Sequence, residues 1–238
     1  MILVEGLSPL DLLGPVDQER LVALGALLPG RNLRRVPRLA RLALLAAGRL
    51  DPEPGEKTAL VLATAYASVA TTFDFLNSIL DDGPDLASPT AFSHSVTNMA
   101  AALLSQHLGL GGPALTLTQN RFGPALSAAA LLLEAGLAES VLLGAIGEHE
   151  DMMSRLEDLA HPGGRSRMDE GALFFKLKLA GTKAAPPEPP LDLKETAADG
   201  PLAQAGALAR RLLANPGPLK VISEDGGAFD LHYPGAGL

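Results

Sequence analysis

A short apolar strand, Ala114–Thr118, runs through the turn Gln119-Asn120-Arg121-Phe122-Gly123 into a helix that Pro124 opens and Gly136 closes, and a second apolar strand follows at residues 140–146. Proline fits the first turn of a helix, where its missing N–H costs nothing, and glycine fits the left-handed residue that ends one. Strands separated by a helix of this length need a crossover, so the unit reads as βαβ with parallel strands and right-handed connection. A chain organised around such a unit is committed to an α/β fold. Its strand-to-helix turn is also where α/β proteins hold reactive or anionic groups, because the helix start presents unpaired N–H groups and the positive end of the dipole. Here the turn supplies no nucleophilic thiol, and the whole chain contains no cysteine. Thiol catalysis, disulfides and thiolate metal sites are excluded together.

The remaining elements are read around that unit. Residues 1–7 form an opening strand, and 37–50 a helix with Leu39, Leu42, Leu45 or Ala46, and Leu50 on one face. Residues 58–67 are an apolar, β-rich run, 73–80 a short helix, and Gly171–Leu179 alternates as a strand should. The segment 184–190, Ala-Ala-Pro-Pro-Glu-Pro-Pro, cannot continue a sheet and reads as a semi-rigid linker. Beyond it come a helix at 202–214, a strand at 219–223 and a return through 229–232, joined by the turns Asn215-Pro216-Gly217-Pro218 and Asp225-Gly226-Gly227. The expected organisation is a main unit over 1–181, a linker over 182–201, and a C-terminal helix-strand unit over 202–238 that completes the same domain. No internal repeat is visible.

At 47% hydrophobic residues the chain of 238 can bury a large core, and with 4% aromatics that core must be built from Leu, Ala and Val. A net charge of −8 argues against a general nucleic-acid surface. No stretch reaches the roughly 18 apolar residues of a membrane span, and the N-terminus lacks the basic flank of a signal peptide, so the cytoplasm is expected. Three polar groupings stand out. Arg31, Arg34, Arg35, Arg38 and Arg41 place five arginines in eleven residues, either the solvated start of a helix or a docking site for an acidic partner. His94 and His107 have no second ligand at helical spacing, so no metal site is expected. Gly147-Glu148-His149-Glu150-Asp151 follows a strand, where α/β proteins place ligands, and otherwise reads as a solvated charge cluster.

One stretch is more specific. Ser88-Pro89 starts a helical segment carrying Asn98-Met99, then Gly109-Leu110-Gly111-Gly112-Pro113, the strand Ala114–Thr118 and the glycine-capped helix. This order resembles the β-ketoacyl synthases of the thiolase-like superfamily, without a gap from Ser88 to Thr118. Asp169-Glu170-Gly171 stands where the family has a Gly-Glu-Gly-led strand. Counted forward from Ser88, the family's nucleophilic cysteine falls on Arg121; counted back from Gly136, it falls on Gln119. The resemblance therefore implies a short deletion in the turn, and chain length factors carry Gln where elongating enzymes carry Cys.

Ketosynthases are roughly twice as long, and their catalytic histidine pair lies in the half this chain does not have. In length and motif it looks most like the shorter chain-length-factor-type subunits of aryl polyene and related pathways. The resemblance implies a thiolase-like half-fold, a mixed five-stranded sheet with helices packed on it. It also implies that Phe92, Ser93, His94, Asn98 and Met99 lie near a dimer interface and acyl tunnel. The expected function is a non-catalytic subunit, without cofactor, paired with an active ketosynthase. An acyl carrier protein docking on the arginine cluster is a further expected partner. Two alternatives stay open: decarboxylation of a malonyl thioester using Gln119 or Arg121 with Asn120, and a homodimeric scaffold without an acyl role.

Overall fold

The computed structural model describes residues 1–25, 33, 35–160, 170–180, 189–194 and 200–235. In chain order the strands are β1 (Ile2–Leu7), β2 (Thr58–Thr64), β3 (Ala114–Thr118), β4 (Ser140–Gly147), β5 (Gly171–Leu179), β6 (Leu191–Asp192), β7 (Gly217–Ile222) and β8 (Ala228–Tyr233). The helices are α1 (Gln18–Gly25), α2 (Arg38–Ala47), α3 (Val69–Asp82), α4 (Pro89–Ser95), α5 (Met99–Leu108), α6 (Gly123–Glu134), α7 (Asp151–Ala160) and α8 (Gly200–Ala214). None of the described helices is long and apolar enough to cross a membrane.

All the strands join one sheet in the order β3-β2-β4-β5-β1-β8-β7-β6. The sheet is mixed, as expected, but it has eight strands and not five. The difference arises at β1, which pairs antiparallel with β5 on one edge and parallel with β8 on the other, at Ile2↔Leu231 and Leu3↔His232. The C-terminal strands therefore continue the main sheet. β3 and β4 are parallel, as the βαβ reading requires, but both pair with β2, which lies between them.

Residues along each strand alternate between the two faces. Val61, Ala63, Leu143, Ala145, Leu173, Phe175 and Leu177 meet α6 and α8 on one face. Leu60, Leu62, Leu142, Ile146, Ala172 and Phe174 meet α2 and α5 on the other. Every residue of β2 is buried, the pattern of a parallel strand covered on both sides. The helix at α3 begins four residues before the expected 73, because Thr71 and Thr72 satisfy their hydroxyls locally on Ser68 O (3.0 and 2.8 Å) and on His94 O and Ser95 O across the turn. The proline-rich connection is not wholly a spacer: Leu191–Asp192 pairs with β7 and Leu193 is fully buried.

Gly144 in β4 lies directly opposite Phe174 in β5. A Cβ at Gly144 would stand 2.4 Å from the phenyl Cε1, and Phe174 is itself fully buried. Gly144→Ala should therefore lower unfolding free energy by about 1–3 kcal/mol through overpacking, read from denaturant midpoints.

Candidate functional site

The strand-to-helix turn sits at the open edge of the sheet. β3 pairs with β2 alone, and its Leu115 side chain is 40% exposed. The Gln119 N–H continues the ladder by donating to Thr64 O at 2.9 Å. Arg121 is exposed. The residue at the helix start is Phe122, whose buried ring lies against Phe175 with centroids 5.8 Å apart. Its N–H donates to Oε1 of Gln204 at 2.6 Å. Gln204 is fully buried, and its Nε2 donates to Leu193 O at 3.2 Å and to Glu224 Oε1. Asp225, next along, accepts from the Ser223 hydroxyl, from the Gly227 N–H at 3.1 Å and from the Ser127 hydroxyl at 3.2 Å. These donors, the Ser223 hydroxyl foremost, hold its carboxyl below the usual range. The turn thus presents an apolar ring and an internally satisfied amide where a reactive group would stand. Gln204, Glu224 and Asp225 carry no local sequence signal for this role, because they reach the turn only through the fold.

Beside β3 stands a projecting pair of helices. None of the residues of α3 is buried, and Leu76, Leu80, Leu86 and Phe92 are all exposed there, Leu80 to 81%. Phe75 and Phe92 pack on each other with ring centroids 5.6 Å apart. Ser93 and His94 belong to the same α4, and Asn98 is exposed at the start of α5. Met99 does not join them: it is 3% exposed and packs in the core with Leu104 and Leu142. The first residue of α5 faces inward because that helix covers the sheet.

The described arginines of the cluster do not share one face. Arg31 and Arg34 lie outside the described residues, and Arg35 is exposed. Arg38 turns inward, its Nε 2.6 Å from Glu170 Oε1 and its guanidinium also donating to Val16 O. Arg41 donates to Val36 O at 3.1 Å. Among the described residues no group of three or more His, Asp or Glu could hold a metal ion.

The cluster after β4 divides. His149 and Asp151 pair at the surface, 2.9 Å apart. Glu148 is instead 4% exposed, so the solvated reading fails for it. Its carboxylate accepts from the Ala70 N–H at 3.3 Å, at the start of α3, and from the Leu39 N–H at the start of α2. Burial is the dominant effect and pushes its carboxyl up to about 7, with Glu170 adding to the shift and Arg38 opposing it. Glu170 also accepts from the Val16 N–H at 3.1 Å. An acid placed directly after an unbroken apolar strand is the signal that marks Glu148.

The model for "Beta-ketoacyl synthase, N-terminal domain" matches residues 15–152. No curated protein sequence matches the chain. Solved structures with a similar fold include the ishigamide ketosynthase/chain length factor, at 17% identity and TM-score 0.59, with 84% of each chain covered. The ketosynthase ApeO in complex with its chain length factor ApeC from Xenorhabdus doucetiae matches at 17% and 0.52, over 78% of this chain and 83% of that one. AntDE:AntF, a type II acyl-carrier protein in complex with its hexaketide-bound ketosynthase, matches at 15% and 0.56, over 74% and 62%. At such identities the likeness establishes the fold, a thiolase-like one.

Because the folded state raises the Glu148 carboxyl from 4.5 to about 7, it binds a proton that the unfolded chain has released. That group's contribution is unpenalised below pH 4.5, falls as pH rises toward 7, and is constant above it. Glu148→Gln should therefore flatten the decline in stability across that window and gain on the order of 3 kcal/mol relative to wild type at pH 8, by denaturant unfolding at stepped pH.

Proposed function

The chain belongs to the family of β-ketoacyl synthase N-terminal domains, and from that membership we propose that it is a non-catalytic, chain-length-factor-type subunit paired with an active β-ketoacyl synthase. The docking surface of this reading is the open edge of β3 together with the α3–α4 projection, and the subunit's contribution is to bound the space holding the partner's growing acyl chain. The observation that carries it is the α3–α4 projection, apolar and exposed beside an unpaired strand edge. An exposed apolar helix face rimmed by polar residues marks an interaction site, and an unpaired edge strand is a template for pairing. Two of the solved folds it resembles are ketosynthases with a chain length factor, and a third is a ketosynthase with its acyl-carrier protein. Cytoplasmic residence follows from that partnership.

Charge favours a different chain over a second copy. From residue 58 to residue 120 there is no Lys or Arg. Asp74, Asp81, Asp82 and Asp85 are exposed on or beside α3 and make no ion pair among the described residues. A two-fold homodimer through this face would set acid against acid, whereas a partner with a basic rim gains attraction. An acyl carrier protein, being acidic, would dock elsewhere, with Arg35 the one described arginine of the cluster left free to meet it. Decarboxylation by this chain alone is disfavoured by a specific contact. An enolate needs free donors at the helix start, and the Phe122 N–H is already given to Gln204.

Co-expression with an active β-ketoacyl synthase from the same source should yield a one-to-one complex that loosens as salt is raised. Leu80→Asp should weaken that complex roughly tenfold or more, a change of about 1.4 kcal/mol, while leaving the subunit's own melting temperature unchanged. A complex indifferent to Leu80→Asp, or consumption of malonyl thioester by the purified chain alone, contradicts this reading.

A further inference from the structure

Glu148 follows β4 directly and is 4% exposed, so its carboxylate lies beneath the starts of two helices. It accepts from the Leu39 N–H of α2 and, at 3.3 Å, from the Ala70 N–H of α3. The charged groups that act on it are Arg38 at the start of α2 and Glu170 just before β5. Arg38 gives its guanidinium to Glu170 at 2.6 Å and to Val16 O. Among the surrounding titratable groups, His149 pairs with Asp151 at the surface, Glu150 accepts from the Met153 N–H at 2.7 Å, and Tyr66, on the turn before α3, donates to Glu157 of α7. Asp74 is exposed on α3, and His94 of α4 meets α3 through its carbonyl, which accepts from the Thr71 hydroxyl at 2.8 Å. The two helices over the carboxylate are not equally fixed. α2 buries Leu39, Ala40 and every residue from Leu42 to Ala47, whereas α3 buries none. α4 buries none either, and it is tied to α3 by the Thr71 bond, by Thr72 to Ser95 O at 2.9 Å and by the Phe75–Phe92 contact. Water therefore reaches Glu148 at least cost when α3 parts from α2 and takes α4 with it.

We propose that Glu148 is a proton-operated latch at the base of the α3–α4 projection: in its neutral form the first turn of α3 stays seated beside α2, and in its ionised form that turn opens to bring water to the carboxylate. Two backbone N–H groups are a poor substitute for a full hydration shell, and the Arg38 guanidinium is already given to Glu170, so the buried anion is under-solvated. The closed state accordingly holds a proton, with the carboxyl raised to about 7, and opening returns it to the ordinary 4.5. Opening is thus favoured progressively as pH rises from 4.5 toward 7 and is level outside that window. The latch is a property of this chain alone. Only its consequence, a proton-linked association through the projecting face, rests on the docking reading.

The test uses the purified full-length chain without any partner, so its outcome is independent of the ketosynthase pairing. Amide hydrogen exchange, corrected for intrinsic rates, gives opening constants for Ala70 and Thr72, whose N–H groups are held by Glu148 and by Ser68 O. In wild type these constants should rise by about tenfold or more between pH 5 and pH 8 and exceed that of Leu142 in β4 throughout. In Glu148→Gln, which keeps the shape and cannot ionise, they should not change with pH. Constants flat with pH in wild type, or equal to that of Leu142, overturn the proposal. A dependence that survives in Glu148→Gln belongs to another group, His94 foremost, and overturns it equally. Should Glu148→Gln not fold, the wild-type profile decides alone: a rise confined to the 4.5-to-7 window supports the latch, and a rise outside it or none contradicts it.

Discussion

The sheet face bearing Val61, Leu143, Phe175 and Leu177 has to be sealed from water, and α6 reaches only part of it. α8 lies over β2, β4 and β5 alongside α6 and completes the seal with Leu202, Ala205, Leu208, Ala209 and Leu212, spaced as one stripe of a helix. Three buried leucines in that stripe remove apolar surface amounting to several kcal/mol, at ~1.5–3 kcal/mol each. Without this helix the sheet would present an open hydrophobic face. The C-terminal unit therefore completes the cover of this face, and it is joined to the sheet covalently through β7 and by pairing through β8.

Sealing with α8 has a chemical consequence at the turn. Gln204 interrupts the apolar stripe at a fully buried position, where an amide must be hydrogen-bonded or cost a few kcal/mol. Its partners are Phe122, Leu193 and Glu224, so satisfying one buried amide fixes the strand-to-helix turn, the end of the linker and the acidic hairpin together. The turn that the resemblance aligns with the family's nucleophile is thereby tied to the C-terminal unit. The Phe122 N–H is thus committed to the packing of the C-terminal unit.

How much of this could be read from the residues alone differs by element. Pro124 and Gly136 bracket α6 because their backbone preferences are local, and β2 to β5 announce themselves by apolar runs. The sheet's full width could not be read the same way, since whether β8 pairs with β1 depends on which edge stays open, a property of the assembled sheet. Likewise, Asn98 and Met99 are neighbours in sequence but point to opposite environments, because α5 turns its first residue onto the sheet. Arg38 reads as one more cation in a basic run until Glu170, far along the chain, closes on it. Glu148 is marked by following its apolar strand directly, but its place under α2 and α3 depends on helices distant in the chain.

That last placement links the interior to the projecting face. Glu148 touches the first turn of α3, and the rest of the projection is fastened by the Thr71 and Thr72 hydroxyls and by one aromatic pair. Each such hydrogen bond is worth about 1 kcal/mol net, while no side chain of α3 is anchored in the core. The projection is consequently held in direction at its base and left adjustable along its length. A surface of that kind suits association in which final side-chain packing is settled on contact. The rigid, closed turn at α6 and the adjustable α3–α4 face are then opposite outcomes of one allocation: the chain spends its apolar residues sealing the sheet and leaves the remainder for a partner to cover.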